Sequence, residues 1–369
     1  MSGKQTNIED FFSDAISLFK KLIAIPSFSK EESKTADVLE LHFQQKNIQP
    51  NRYLNNVWAL NKNFDPGKIT LLLNSHHDTV KPNAGYTYNP FEPIENDGKL
   101  YGLGSNDAGG ALVSLLAVFL YFYEADLPFN MIFAATAEEE ISGKNGIEIL
   151  LNQLPEINCG IVGEPTLMKM AVSEKGLLVL DCVAHGTAGH AARDEGLNAL
   201  NIAVKDINWL NNYQFPKISS LLGPVHIAVT SINTKNKTHN IVPSECSFLL
   251  DIRVNELYSF EEVIDLIKEN ISSEILPRST RLKSTFIEES HPLVVAGTKM
   301  GISSYGSPTC SDKALMNFPS LKIGPGDSAR SHIANEFIFV SEIKEGIKIY
   351  IELLKNFGSE LSNPENNQP

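Results

Sequence analysis

Phe133-Ala134-Ala135-Thr136-Ala137-Glu138-Glu139-Glu140-Ile141-Ser142-Gly143 joins an apolar, strand-like segment, Met131 to Ala135, to three consecutive carboxylates. Three adjacent carboxylates repel one another. A solvated helix start would tolerate them, because a helix N-terminus favours negative charge. The apolar residues directly before them fit instead a buried strand whose end delivers charge into a site. In open α/β sheets, ligands gather at the carboxyl ends of strands. Something positive then belongs there, and a divalent metal is the simplest candidate. On this run alone the acidic helix cap and the metal-facing strand end both stand.

Working outward, the same arrangement recurs. Ile69–Asn74 reads as a strand and runs into Ser75-His76-His77-Asp78-Thr79-Val80. Alternation puts His76 and Asp78 on one side and His77 on the other. A carboxylate beside a histidine can take its second ring N–H and fix the tautomer for metal binding. Tyr101-Gly102-Leu103-Gly104-Ser105-Asn106-Asp107-Ala108-Gly109-Gly110 sets one Asp among glycines before an apolar helix. The order is not GxGxxG, no GK[ST] follows, and Asp107 would repel phosphate, so a metal-bridging Asp fits better than a phosphate loop. Ile161-Val162-Gly163-Glu164-Pro165-Thr166 places another carboxylate past a strand, with Pro165 biasing Glu164 toward extended backbone. Gly324-Pro325-Gly326-Asp327-Ser328-Ala329-Arg330-Ser331-His332 follows the strand Leu321–Ile323 and ends in a histidine.

Around these segments, Phe11, Ala15, Leu18, Phe19, Leu22 and Ile23 recur at helical spacing. Ser29 and Glu32 form a capping box for a second helix through Phe43. Val57–Leu60 is a strand, Gly109–Tyr123 a buried helix, Met131–Thr136 a strand, Gly146–Leu154 a helix and Cys159–Val162 a strand. This alternation predicts an α/β domain with a mostly parallel sheet. After Thr166 the texture changes. Gly176–Ala184, Val225–Ile232 and Glu245–Val254 alternate like half-buried antiparallel strands, with helices at Asn198–Leu210 and Phe260–Ile271. The expected organisation is a discontinuous domain, 1–167 and 284–369, interrupted by an α+β unit at 168–283. A helix from Glu342 to Phe357 closes the fold, and the polar tail from Gly358 to Pro369 is expected to fray.

The 369 residues exceed one ordinary core. Hydrophobic content of 42% with 20% charged residues describes a globular chain, and a net charge of −13 argues against nucleic acid and anionic membranes. The start carries Glu9, Asp10 and Asp14 and no signal-peptide core, and no apolar run reads as long enough to cross a bilayer. Cys159, Cys182, Cys246 and Cys310 lack CxxC spacing and read as reduced thiols of a cytoplasmic protein.

Taken together, His76-His77-Asp78-Thr79-Val80, Gly102-Leu103-Gly104-Ser105-Asn106-Asp107, Glu139-Glu140, Gly163-Glu164-Pro165-Thr166 and His332 resemble the M20 family of zinc aminoacylases and peptidases over nearly the whole chain. The resemblance implies a zinc-exopeptidase-like catalytic domain with a mixed, mostly parallel sheet and an inserted ferredoxin-like lid and dimerisation domain. It implies two Zn2+ ions, replaceable by Co2+ or Mn2+. His76, Asp107 and Glu164 would ligate one ion, and Asp107, Glu140 and His332 the other, with Asp107 bridging beside a non-proline cis peptide. Asp78 would orient His76, and Glu139 would be the general base. Glu138, set apart by matching Thr136-Ala137 and Ile141-Ser142-Gly143 to the family pattern, would be a solvent-side or helix-cap carboxylate.

In the inserted unit, Ala184-His185-Gly186-Thr187-Ala188-Gly189-His190 resembles the lid segment that carries an oxyanion-stabilising histidine, here His190. In relatives that histidine reaches the partner's site in a homodimer. Asn240 and Arg253 resemble substrate-binding positions, Arg253 as a carboxylate clamp, with an ion pair to Asp251 as its alternative. His42, His185, His226 and His291 read as structural or surface residues. Where many relatives carry Gly-Thr-Ser-Asp-Ala-Arg, this chain has Thr309-Cys310-Ser311-Asp312-Lys313-Ala314, so Asp312 or Lys313 could alter specificity. The implied activity is removal of an acyl group from an N-acyl amino acid, first N-acetyl-L-ornithine in arginine biosynthesis. Alternatives are N-acetyl- or N-succinyl-citrulline or -ornithine, succinyl-diaminopimelate, and a non-catalytic binding module of the same fold.

Overall fold

The computed structural model describes residues 7–193 and 195–362. It divides into two compact units: Met1–Val172 with Ile287–Tyr305 and Ser311–Pro369, and Ser173–Phe286 with Gly306–Cys310.

In the first unit a sheet runs in the order Asn51–Tyr53, Asn56–Leu60, Asn130–Thr136, Thr70–His76, Cys159–Val162, Ser320–Lys322, Met170–Glu174. The middle four strands are mutually parallel, with Thr70 opposite Asn130, Leu71 opposite Cys159 and Ser320 opposite Gly160. The flanking pairs are antiparallel. Asn130–Thr136 and Thr70–His76 are buried along their whole length, as parallel strands covered on both faces must be. Helix Gly110–Phe122 lies in this core, and Gly163 lets the sheet approach it: a Cβ there would sit 2.7 Å from Leu115 and 3.2 Å from Ala111. Contrary to the reading of the sequence, Ser105–Phe122 is long and apolar enough to cross a membrane. However, 83% of it is buried inside the fold, which is the property of a core helix.

The first helix, Ile8–Ile23, carries Leu18, Phe19, Leu22 and Ile23 into the core and is capped by Asn7, whose side chain accepts from the Glu9 N–H. The second, Ser33–Gln45, does not use the expected capping box. Ser29 Oγ donates instead to Asp78 Oδ2 at 2.7 Å. Glu32 turns inward and accepts from the Glu138 N–H at 3.2 Å and from Asn55 Nδ2 at 2.8 Å. The helix expected from Gly146 to Leu154 shrinks to Ile147–Leu150, whose Ile147 and Leu150 are buried with Trp58, Leu72, Ile132 and Ala134, while Leu151 and Leu154 pack against the same cluster from beyond the helix end. The closing helix is longer than read, Val340–Leu361, with Phe357, Gly358 and Glu360 buried. The start of the expected frayed tail is therefore helix, and 363–369 lie outside the described residues.

The second unit holds an antiparallel sheet in the order His226–Asn233, Glu245–Val254, Gly176–His185, Glu274–Ser279. Along Gly176–Ala184, buried and half-buried residues alternate strictly, and His185 is exposed. Leu178, Leu180, Phe248, Leu250 and Ile252 pack on one face with Ala203, Leu210, Val263 and Ile267 from helices Ala199–Asn212 and Phe260–Asn270. Asn198 caps the first of these helices, and a Ser259–Glu262 capping box starts the second. All four cysteines are free thiols.

Candidate metal centre

Because the four central strands are parallel, their carboxyl ends share one edge of the sheet. His76 ends one strand, Glu138 to Glu140 follow Asn130–Thr136, Glu164 follows Cys159–Val162, and the turn from Gly324 to His332 follows Ser320–Lys322. The sheet thus gathers side chains from four distant parts of the chain. Asp107 joins them from the turn before helix Gly110–Phe122, where the Asp107–Ala108 peptide is cis.

Asp107 turns its two oxygens toward two different histidines. Its Oδ1 lies 3.3 Å from His76 Nε2, and its Oδ2 lies 3.6 Å from His332 Nε2. On the first side, Glu164 Oε1 is 3.8 Å and Glu139 Oε2 4.0 Å from His76 Nε2. On the second side, His332 Nε2 is 3.0 Å from Glu140 Oε2. His76, Glu139 and Glu164 can point donor atoms at one position, as can His76, Asp107 and Glu140. All five expected ligands therefore converge, together with Glu139.

Asp78 does more than the sequence reading assigned to it. His76 Nδ1 lies 3.0 Å from the Asp78 main-chain oxygen, nearer than the carboxylate Oδ1 at 3.4 Å. The carboxylate instead accepts from the backbone N–H groups of Glu139 at 3.0 Å and Glu140 at 3.2 Å. One buried acid thus contacts both His76 and the turn that carries two further acids. Glu138 departs from expectation: it is buried, 5% exposed, and accepts from the Asn145 backbone N–H and Nδ2. It is a clasp of the turn rather than a solvent-side or helix-cap group.

Electrostatics match a cation site. Burial opposes a proton on His76, yet Asp107, Asp78, Glu139 and Glu164 outweigh it and hold its pKa well above the ordinary value. Glu139 is pushed well up by burial and by the Glu164, Asp312 and Glu140 charges, against the pull of His76. Burial carries Glu164 up to about 8, and the bond to Glu140 carries His332 up to about 9. Protons here stand where positive charge is wanted. Imidazole and carboxylate donors crowded with excess negative charge are what a pair of divalent cations requires, so the residues fit the metals that the fold family implies.

Asp312 and Lys313 do not form an accessible specificity surface. Asp312 is 4% exposed and accepts from Thr136 Oγ1 at 2.7 Å and Asn74 Nδ2 at 2.9 Å; Lys313 is 2% exposed, with Nζ near the Ala171 and Val172 carbonyls. In the second unit, Gly189–His190 pairs with Ile241–Val242, and the Ala191 N–H donates to the Asn240 carbonyl, so His190 and Asn240 share one exposed ribbon. Arg253 is held bidentately by Asp251, Nε at 2.7 Å and Nη2 at 3.0 Å. His185 pairs with Glu274, and His291 caps helix Pro292–Lys299, as structural residues do. The sequence reading missed Glu32 and Glu336 as buried acids behind the site; Glu336, in the run His332-Ile333-Ala334-Asn335-Glu336, carried no signal of its role.

Residues 72–356 match the model of peptidase family M20/M25/M40. The chain is 26% identical over 332 residues to a succinyl-diaminopimelate desuccinylase of Rickettsia bellii, covering 81% of this chain and 83% of that protein. It is 26% identical over 372 residues to an acetylornithine deacetylase of Proteus mirabilis, covering 93% and 96%. A dinuclear metal-binding M20 peptidase of Bacillus subtilis superposes with a TM-score of 0.71 at 13% identity, over 94% of this chain and 98% of its own. With the family model spanning most of its length, the chain belongs to peptidase family M20/M25/M40 and is a metal-dependent amide hydrolase.

Proposed function

We propose that this enzyme removes the acyl group from an N-acyl amino acid. Succinyl-diaminopimelate is the leading substrate and N-acetyl-L-ornithine, with a place in arginine biosynthesis, the second. The observation that carries deacylation is Asp107, which turns one oxygen toward His76 and the other toward His332, with Glu139 alongside. Desuccinylation leads because a desuccinylase and a deacetylase match at the same identity and further desuccinylases match beside them.

His76, Asp107 and Glu164 would hold one Zn2+, and Asp107, Glu140 and His332 the other; Co2+ or Mn2+ would suit the same donors. Bound there, the ions supply Lewis acidity toward the scissile carbonyl and toward water. The chain's own part is proton handling. Glu139, its proton affinity raised by burial and by neighbouring acids, takes the proton of the attacking water and returns it to the leaving amine. Asp78 fixes its position through the Glu139 N–H. His190 would donate to the developing oxyanion, and Asn240 on the same ribbon would assist. Arg253 would exchange Asp251 for a substrate carboxylate, which its planar fork matches. A homodimer built through the second unit, with His190 serving the partner's site, and a cytoplasmic location complete the reading.

The test is amine release from succinyl-diaminopimelate, N-acetylornithine and N-acyl-citrullines, with and without chelator. Release that chelator abolishes and Zn2+ restores is expected. No release from any substrate while cations are bound would leave the binding module instead.

A further inference from the structure

Glu336 is 1% exposed and makes no ion pair among the described residues, yet its carboxylate is fully used. Oε2 accepts the Gly104 N–H at 3.0 Å, and Oε1 accepts the N–H groups of Asn106 at 2.8 Å and Asp107 at 2.9 Å. Its main-chain carbonyl accepts the Gly102 N–H at 3.1 Å. Four backbone donors of one short turn therefore end on a single residue. The other flank of the turn is tied as well. Asn106 Nδ2 donates to the Asp327 carbonyl at 2.9 Å, and Asn106 Oδ1 accepts the Asp327 N–H at 3.1 Å. The segment that grips the turn also carries His332, and Asn335 pins it by accepting the Thr87 and Tyr88 N–H groups at 2.9 and 3.1 Å.

We propose that Glu336 is a positioning residue that sets both oxygens of Asp107 and so couples the two cation positions. The proposal rests on the metal reading above. Both oxygens belong to one carboxyl on one backbone, so a shift of the Asp107 main chain displaces both at once. A carboxylate offers two oxygens and can receive three N–H groups. A carboxamide offers one oxygen and sets an NH2 against the remaining donors. Glu336→Gln therefore keeps the shape, can still accept two of the N–H groups on its one oxygen, and weakens the grip by setting its NH2 against the third. His332→Ala, in contrast, removes a ligand of one position only.

The experiment is a Zn2+ titration of the metal-free protein against a competing chelator, with circular dichroism to check folding. Wild type, Glu336→Gln, Glu336→Asp and His332→Ala are compared. Outer-shell partners of metal ligands are worth about 10- to 100-fold in affinity. Glu336→Gln should lose that factor at both binding steps, and Glu336→Asp, with two oxygens on a shorter arm, should lose less at both. His332→Ala should lose at one step. Wild-type affinities in Glu336→Gln, or a loss confined to the step that His332→Ala loses, overturn the proposal. If Glu336→Gln does not fold, Glu336→Asp decides alone: weakening at both steps supports coupling, and unchanged affinities overturn it. Wild type binding no Zn2+ would instead sink the metal reading itself.

Discussion

His77 gives the most exact prediction. It follows a proposed ligand but faces away from the cluster, toward Thr35 Oγ1 at 2.9 Å and the Asn55 carbonyl at 2.8 Å. It is 6% exposed, and burial lowers its pKa from the ordinary 6.5 to about 4. The unfolded chain thus binds a proton at a higher pH than the folded chain does. Stability from neutral, buried His77 is full above about pH 6.5 and is lost as the pH falls toward 4. A shift of that size is worth about 3 kcal/mol across the window. Replacing His77 by Gln removes the titrating group and keeps one hydrogen bond, at a pH-independent cost of about 1 kcal/mol. The assay is denaturant unfolding of both proteins from pH 7 to pH 4, kept metal-free so that the cluster titrates alike in each. Wild type should lose about 3 kcal/mol more than His77→Gln over that range. Parallel curves for the two proteins would refute the reasoning.

Glu139→Gln should retain its cations by metal analysis and lose turnover by about 10²- to 10⁴-fold, the worth of a positioned base; near-normal turnover removes Glu139 from that role. Gly146→Ala would place a Cβ 2.2 Å from the Ala137 carbonyl oxygen, in the turn that carries the acids, so the melting temperature should drop with a loss of about 1–3 kcal/mol. An unchanged melt would show that the turn yields freely. Tyr350→Phe removes a buried hydroxyl that donates to the Ile323 carbonyl at 2.5 Å, and should cost about 1–3 kcal/mol in unfolding free energy; a neutral result would mean that the carbonyl finds another donor.

The residues proposed to hold the cations were legible because each announces itself locally. Leu71 to Asn74, Met131 to Thr136 and Cys159 to Val162 are short apolar runs, and charge that begins where such a run stops has a direction as well as an identity. The half-buried alternation of Gly176–His185 and Glu245–Val254 announced the second unit in the same way. Glu32, Glu138, Asp312 and Glu336 had no such signature. Glu32 meets the Glu138 N–H 106 residues away, Asp312 meets Thr136 across 176, and Glu336 meets the Asp107 N–H across 229. Read from sequence, Glu32 is part of a capping box, Glu138 a solvent-side or helix-cap acid, and Asp312, like Lys313, a residue that could alter specificity.

The sequence by itself determined where strands end and which side chains stand at those ends, because periodicity and turn chemistry act over a few residues. Only the tertiary structure decided which buried acids accept backbone N–H groups from distant segments. A buried carboxylate must find donors wherever the folded chain presents them, and those donors are assigned by packing between segments that no local pattern connects.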